Sequence, residues 1–247
     1  MNFVPESVAI YNASKDFGSV QQHALGTRGV DKYGRVYRYV KAGASALVAG
    51  ECIQSPAIAA NHLARTPVAA AIGATSVTSD VGATSGAANL YAKGFLQVDT
   101  TPGNGRMYGV DNHLAFDASA AAVVWNLDPS DPIKVALTTS SRVGLIKNPY
   151  DGVIQMPVTT ATGILVGVAV AAIAASEFGW IQTWGYCPVL INGTPALGAT
   201  VVSPSATTAG AVDVITTTNL VTAQIVGRMG QVGVSTKNNA VYLTIAP

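Results

Sequence analysis

The chain has 247 residues, 49% of them hydrophobic, with charge on only 11% and a formal net charge of +1. That composition argues against intrinsic disorder, which pairs low hydrophobicity with high charge. It also argues against a nucleic-acid-binding domain, which carries a basic excess. A weakly charged surface rich in small residues suits a protein held in an assembly better than a free monomer.

Residues 1 to 25 lack clear periodicity, yet they hold Phe3, Tyr11 and Phe17 in a chain that is only 7% aromatic. They read as an extended arm that packs on its own domain or on a neighbour, because terminal segments order only when tied down. No basic region followed by an apolar core opens the sequence, so no secretory signal is expected.

Gly34 to Val40 alternates, with Val36, Arg38 and Val40 on one face and Arg35, Tyr37 and Tyr39 on the other. That period of two predicts a strand. Leu47 to Ile53 follows as its expected hairpin partner. Ala69 to Asn89 is mostly small residues with short apolar pieces such as Ser76-Val77-Thr78, and reads as strand-turn-strand or a weak helix. Phe95 to Val98 and Arg106 to Val110 flank Thr101-Pro102-Gly103-Asn104-Gly105. In that turn Pro presets φ, while Gly and Asn accept positive φ, so a hairpin is expected. Ala122 to Leu127 and Ile133 to Thr138 are further strand candidates, separated by Asp128-Pro129-Ser130-Asp131-Pro132. Asn148-Pro149-Tyr150-Asp151-Gly152 is another turn.

Gly163 to Ala175 is almost free of polar side chains. It falls short of the roughly 20 apolar residues of a spanning helix. Gly163 and Gly167 disfavour a buried helix, at about 1 kcal/mol each relative to Ala. Two strands, Ile164 to Val170 and Trp180 to Tyr186, remain. The arrangement echoes near the C-terminus, where Ile225-Val226-Gly227 precedes Val241-Tyr242-Leu243-Thr244 at nearly equal spacing. Asn192-Gly193-Thr194-Pro195 is a turn between the two, and Ala211 to Ile215 a short strand. The expected fold is all-β, with β-sandwich or barrel domains, a small C-terminal β-barrel and an extended N-terminal arm. The expected division is residues 1–25 as arm, 26–155 as a β-rich domain and 156–247 as the C-terminal barrel or sandwich.

Chemistry-bearing motifs are missing. Gly103-Asn104-Gly105 with Gly109 has the wrong spacing for a dinucleotide fingerprint, and neither a P-loop nor HExxH occurs. His23, His62 and His113 are scattered. Cys52 and Cys187 lack metal-ligand spacing and read as small buried residues, with a disulfide between them left open. No catalytic residue, metal, cofactor, small-molecule substrate or membrane contact is expected. Arg28, Lys32, Arg35, Arg38 and Lys41, interleaved with Tyr33, Tyr37 and Tyr39, form the one basic concentration. Such a set can follow a nucleic-acid backbone and stack on bases. Without a basic surplus elsewhere, the plainer reading is a strand face whose arginines pair with carboxylates of a partner protein. Trp180, Trp184 and Tyr186 share one strand face, either core or a flat surface for sugars.

Four runs together carry a resemblance: LGTRGVDKYGRVYRYVKAGASALVAGE, TPGNGRMYGV, IKVALTTSSRVGLIKNPYDGV and FGWIQTWGYCPVLINGTPALGATVV. They resemble virion structural proteins of tailed bacteriophages, of the head-decoration (capsid cement) kind. The C-terminal part is similar to small β-rich decoration domains. The resemblance covers most of the chain from about Leu25. It implies a protein made in the host cytoplasm and bound to the outer surface of the capsid. There it would bridge major capsid protein subunits and stabilise the head, as a homo-oligomer, trimer or dimer. It brings no catalytic residue and no cofactor. The alternative is a head-fibre or tail-associated module that binds host glycans. The expected protein-interface residues are Phe3, Tyr11, Phe17, Arg28, Arg35, Tyr37 and Tyr39, because large aromatics and Arg are the usual interface anchors. The arm and the strand after it are expected to make the main intermolecular contact.

Overall fold

The computed structural model describes residues 7–158, 161–205 and 208–247. Phe3 lies outside the described residues. Up to residue 57 the chain supplies β1 (Val8–Ala9), β2 (Arg28–Val30), β3 (Val36–Ala42) and β4 (Cys52–Gln54). Next come β5 (Ser76–Ser79), β6 (Phe95–Val98), β7 (Met107–Asn112), β8 (Val123–Leu127) and β9 (Val143–Ile146). The rest supplies β10 (Asp151–Gln155), β11 (Leu165–Ala169), β12 (Phe178–Leu190), β13 (Thr200–Val202), β14 (Asp213–Val214), β15 (Ile225–Met229) and β16 (Asn238–Thr244). One 3-10 turn, Ala60–His62, is the only helical element among the described residues. No described helix is long and apolar enough to cross a membrane. The protein is all-β.

Two compact units form, and neither matches the division expected at residues 155 and 156. One joins residues 1–57 to 149–247, and the other is the continuous stretch 58–148. Strand pairing causes this. β10 lies between β3 and β4, parallel to the first and antiparallel to the second, and β11 also pairs with β4. Strands from both sides of the 58–148 stretch therefore share one sheet. The hairpin expected between Gly34–Val40 and Leu47–Ile53 does not form, because β10 takes the place beside β3.

The discontinuous unit contains two rings of strands. β3, β10, β4, β11 and β12 pair in that order, and β12 returns to β3, closing a five-stranded barrel. Its interior holds Val40, Ile53, Val153, Val166, Ile173 and Ile181. Successive side chains on a strand point to opposite faces. Cys52 and Leu165 therefore turn away from that barrel and join Cys187, Val189, Val226, Val241 and Leu243 in a second core. The second ring runs β12, β16, β15, β13, β14, and a parallel bridge between Ile191 and Val212 links its ends. β12 is 13 residues long and belongs to both rings. The echo of the sequence is structural: β11 with β12 and β15 with β16 are both antiparallel pairs. Gly167 and Gly227 hold equivalent places. A Cβ on Gly227 would stand 2.1 Å from the Tyr242 carbonyl oxygen, and one on Gly167 2.9 Å from that of Gln182.

The 58–148 unit is a five-stranded sheet ordered β5-β8-β7-β6-β9. Its edges are joined through the segment 65–68. Arg65 bridges Val143 of β9, while Pro67 bridges Ser79 of β5. Trp125, Tyr91, Tyr108, Leu96 and Leu145 fill its core. The hairpin around Thr101–Gly105 forms as β6 and β7. Ile133 to Thr138 is not a strand; its one bridge is Leu137 to Ala70.

One turn recurs in both units. Leu47, Phe116 and Ile173 each make an isolated bridge. Three residues on, Gly50, Ser119 and Ser176 take φ of 86°, 59° and 63°. The left-handed residue reverses the chain and launches the next strand. Serine accepts that conformation only at a cost of about 1–2 kcal/mol, because its Cβ crowds the carbonyl.

Candidate functional site

The segment 7–25 is docked on its own unit. β1 pairs with β2, and Gly18 makes a bridge to Phe178. Ile10 and Ala13 are buried against Tyr37, Tyr39 and Trp180. The Gln22 N–H donates to the Tyr39 hydroxyl at 3.0 Å. Tyr37 and Tyr39 are consequently 2% and 1% exposed. The continuous anchor face expected of Arg35, Tyr37 and Tyr39 is not presented, because the arm covers it. Arg28 is half-buried and donates to Ser7 Oγ at 2.9 Å. Tyr11 is 99% exposed and Phe17 is 50% exposed. Of the expected interface residues, Tyr11, Arg35 and Tyr37 line one cavity and Phe17 and Tyr39 another, while Arg35 also lines a cavity beside exposed tyrosines.

The turn between β2 and β3 builds that site. Asp31 Oδ1 accepts the N–H groups of Tyr33 and Arg35 at 2.9 and 3.0 Å. Its Oδ2 accepts Arg35 Nε at 2.7 Å and the Tyr37 hydroxyl at 3.2 Å. Burial pushes the Asp31 carboxyl up, but these bonds, led by the Arg35 side chain, outweigh it and hold the group below its usual value. Burial likewise pushes the Tyr37 phenol above its ordinary value. Gly34, at φ +77°, lets the turn close. The Arg35 side chain is fixed through Nε, while its Nη groups have no hydrogen-bond partner among the described residues.

Aromatic rings surround the guanidinium. The Lys32 ammonium lies 4.9 Å from the Tyr33 ring centre, and Arg35 Cζ 5.8 Å from it. Such contacts are worth about 0.5–1 kcal/mol at exposed sites. Tyr186 and Tyr242 face each other across β12 and β16, with ring centres 5.2 Å apart and perpendicular. A cavity of about 350 Å³ is lined by Tyr33, Arg35, Gly185, Tyr186 and Tyr242. A second, of about 310 Å³, also borders Arg35 and is lined by Tyr11, Asn12, Ser14 and Gln182 among others. Gln182 is fully buried. Its Nε2 donates to the carbonyls of Trp184 and Tyr186, both at 2.9 Å. That fixes the amide orientation and leaves Oε1 buried without a partner among the described residues.

Trp180, Trp184 and Tyr186 do not form one flat face. The register of β12 against β3 shifts between Gln182 and Trp184, and Gly185 sits at φ +84°. Trp180 is sealed at 1% exposure, whereas Tyr186 is 58% exposed. Gln182 and Tyr242 were not singled out by the sequence. Tyr242 and Gln182 stand in the two echoed runs, Val241 to Thr244 and Trp180 to Thr183, so the echo was the available signal for both.

Elsewhere His62, His113 and both cysteines are buried. His62 is fully buried, bonded through Nδ1 to the Tyr91 hydroxyl and through Nε2 to the Thr84 carbonyl at 2.8 Å. His113 Nε2 accepts the Tyr91 N–H at 3.0 Å, and its Nδ1 is 2.8 Å from the Leu114 carbonyl. Both cysteines are free and buried. Burial pushes the Cys187 thiol up to about 12 and the Cys52 thiol higher still, which disfavours the nucleophilic thiolate. Among the described residues no group of three His, Cys, Asp or Glu side chains is placed to hold a metal ion.

The surface of the second ring has a different character. Between Leu190 and Thr236 the only charged residues are Asp213 and Arg228, and Asp213 is buried. Leu197, Leu220, Val221, Ile225, Val232 and Val234 are each more than half exposed there. The loops holding Leu197 and Val232 touch, since the Gly233 N–H donates to the Pro195 carbonyl at 2.7 Å. No protein-family model, curated protein or solved structure matches this chain.

Proposed function

We propose that this chain is a virion structural protein that decorates the outer surface of a bacteriophage capsid. It bridges major capsid protein subunits as a trimer or dimer and stabilises the head. The observation that carries the reading is the nearly uncharged aliphatic surface of the second ring, taken with the sequence resemblance from Leu25 onward. Exposed apolar patches, such as that of the touching loops that hold Leu197 and Val232, mark protein-interaction sites. A specific, stable interface buries about 1,200–2,000 Å², which calls for a broad surface rather than a pocket. A protein that binds the assembled shell and not its free subunits stabilises the shell by mass action. No catalytic role belongs to this reading.

Purified protein mixed with expanded empty capsids should bind saturably and raise the temperature at which they disrupt. Failure of both at micromolar concentration would sink the proposal. Val221→Asp and Val234→Asp place charge on exposed loops. Each should weaken capsid binding while leaving the thermal midpoint of the free protein unchanged.

A second reading, a head-fibre or tail-associated module that contacts host glycans, is favoured by the exposed Tyr33, Tyr186 and Tyr242 around Arg35. Labelling the protein in intact virions separates the two: label over the whole head supports the first, and label confined to fibres or tail the second.

A further inference from the structure

We propose that the cleft around Arg35 binds a carboxylated sugar of the uronic-acid class. This inference deepens the second reading by naming its ligand. It also holds for a decoration protein that touches the host surface.

Three features converge. The first is the Arg35 guanidinium. Asp31 holds it at Nε, and both Nη groups remain unpaired among the described residues. A planar fork fixed in this way matches a carboxylate with two parallel bonds. Asp31 has both oxygens occupied by donors of its own turn, and its charge offsets that of Arg35. Lys32 leaves the local balance positive, which suits an anion.

The second feature is Gln182 Oε1, buried and without a partner among the described residues, in a side chain that lines the second cavity. An unsatisfied buried acceptor costs about 1–3 kcal/mol. It needs a donor, which a carboxylate is not. A ligand that offers a hydroxyl as well as an anionic group can supply that donor from the second cavity. A bridging water can serve the acceptor in the free protein, and a sugar hydroxyl reproduces its bond.

The third feature is the tyrosine wall. Tyr186 and Tyr242 stand perpendicular, and Tyr33 flanks Arg35. Their rings offer apolar area with a polar tip, which fits the C–H face and hydroxyl edge of a pyranose. Cavities of about 350 and 310 Å³ fall at the lower end of the ligand-sized range of about 300–1,000 Å³. Each accommodates roughly one sugar ring, and Arg35 borders both.

The test is isothermal titration of the full chain with an oligogalacturonate, with a neutral oligogalactan of the same length, and with inorganic phosphate. The expected result is saturable binding of the oligogalacturonate, weakened by salt. The neutral oligomer and phosphate should bind at least about tenfold more weakly. Arg35→Lys keeps the charge but loses the fork, and should weaken binding by a similar factor. Tyr186→Ala should do the same with an unchanged thermal midpoint, so it decides alone if the Arg35 variant unfolds. Equal affinity for both oligomers overturns carboxylate recognition and leaves the glycan reading standing. Equal affinity for phosphate reduces the site to a simple anion site and overturns the proposal. No saturable binding of either oligomer at millimolar concentration overturns both the proposal and the second reading.

Discussion

The indole Nε1 of Trp180 donates a 2.7 Å hydrogen bond to Oδ2 of Asp16, across 164 positions of sequence. The bond ties the N-terminal segment to the strand shared by both rings. Trp180 is 1% exposed, so loss of its acceptor leaves a buried donor without a partner. Asp16→Ala should lower stability by about 1–3 kcal/mol. Denaturant unfolding should read this as a lower midpoint, with limited proteolysis appearing first between residues 7 and 25. An unchanged midpoint and unchanged protection would show that the segment is held by its apolar contacts alone.

Gly227 is fixed by sterics. A Cβ there would lie 2.1 Å from a backbone oxygen, which cannot rotate away. Gly193, at φ +81°, has nothing within 4 Å of a Cβ, so Ala there meets only left-handed strain of about 1–2 kcal/mol. Gly227→Ala should therefore cost clearly more than Gly193→Ala, about 3 kcal/mol or above, since overpacking with no room to yield exceeds the ordinary range. Thermal melts of the two variants should rank them in that order.

Ser176 is exposed and left-handed at φ 63°. Glycine removes the Cβ clash but adds freedom to the unfolded chain, and the two effects offset in part. Ser176→Gly should be neutral to stabilising by up to about 1 kcal/mol. Ser176→Val should destabilise by about 1–2 kcal/mol, because a branched Cβ suits that region least. Equal midpoints for the Gly and Val variants would refute this.

Burial holds His113 below its ordinary value of 6.5, with the nearby His62 acting in the same direction and the Leu114 carbonyl against it. The folded state thus takes up its proton at lower pH than the unfolded state. The stability this ring contributes is complete above about pH 6.5 and is lost as pH falls through the folded value. Unfolding free energy should accordingly rise from pH 5 to pH 7 and then level off. His113→Gln should flatten that rise, which denaturant titrations at several pH values would measure.

Local chemistry was legible in the sequence, and long-range partnership was not. Pro102, Gly103, Asn104 and Gly105 specify a reversal by their own dihedral preferences, and the hairpin of β6 and β7 forms there. The repeated Val-Gly steps at 166–167 and 226–227 marked two pairs with close strand crossings. Nothing local told β3 that β10, more than a hundred residues later, would lie beside it. Alternation in Arg35, Tyr37 and Tyr39 revealed two faces without revealing which would be covered. Leu47 and Ile133 have strand-like side chains. Each instead makes isolated backbone bonds, Leu47 with Ile173 and Ile133 with Ala74. Gln182 stands in an echoed run, but its role as a site residue depends on a bulge in its own strand.

β12 is a wall of two rings at once. Neither ring of the discontinuous unit can close without it, and the first ring draws strands from both sides of residues 155 and 156, so it cannot close from either side alone. Cutting the chain between residues 155 and 156 separates β3, β4 and β10 from β11 and β12. Each fragment then exposes unpaired strand edges, which are prone to aggregate. The same edges are complementary. Co-expressed, the two pieces should find each other and rebuild the unit without a covalent link, as a split protein whose reassembly reports the shared strand.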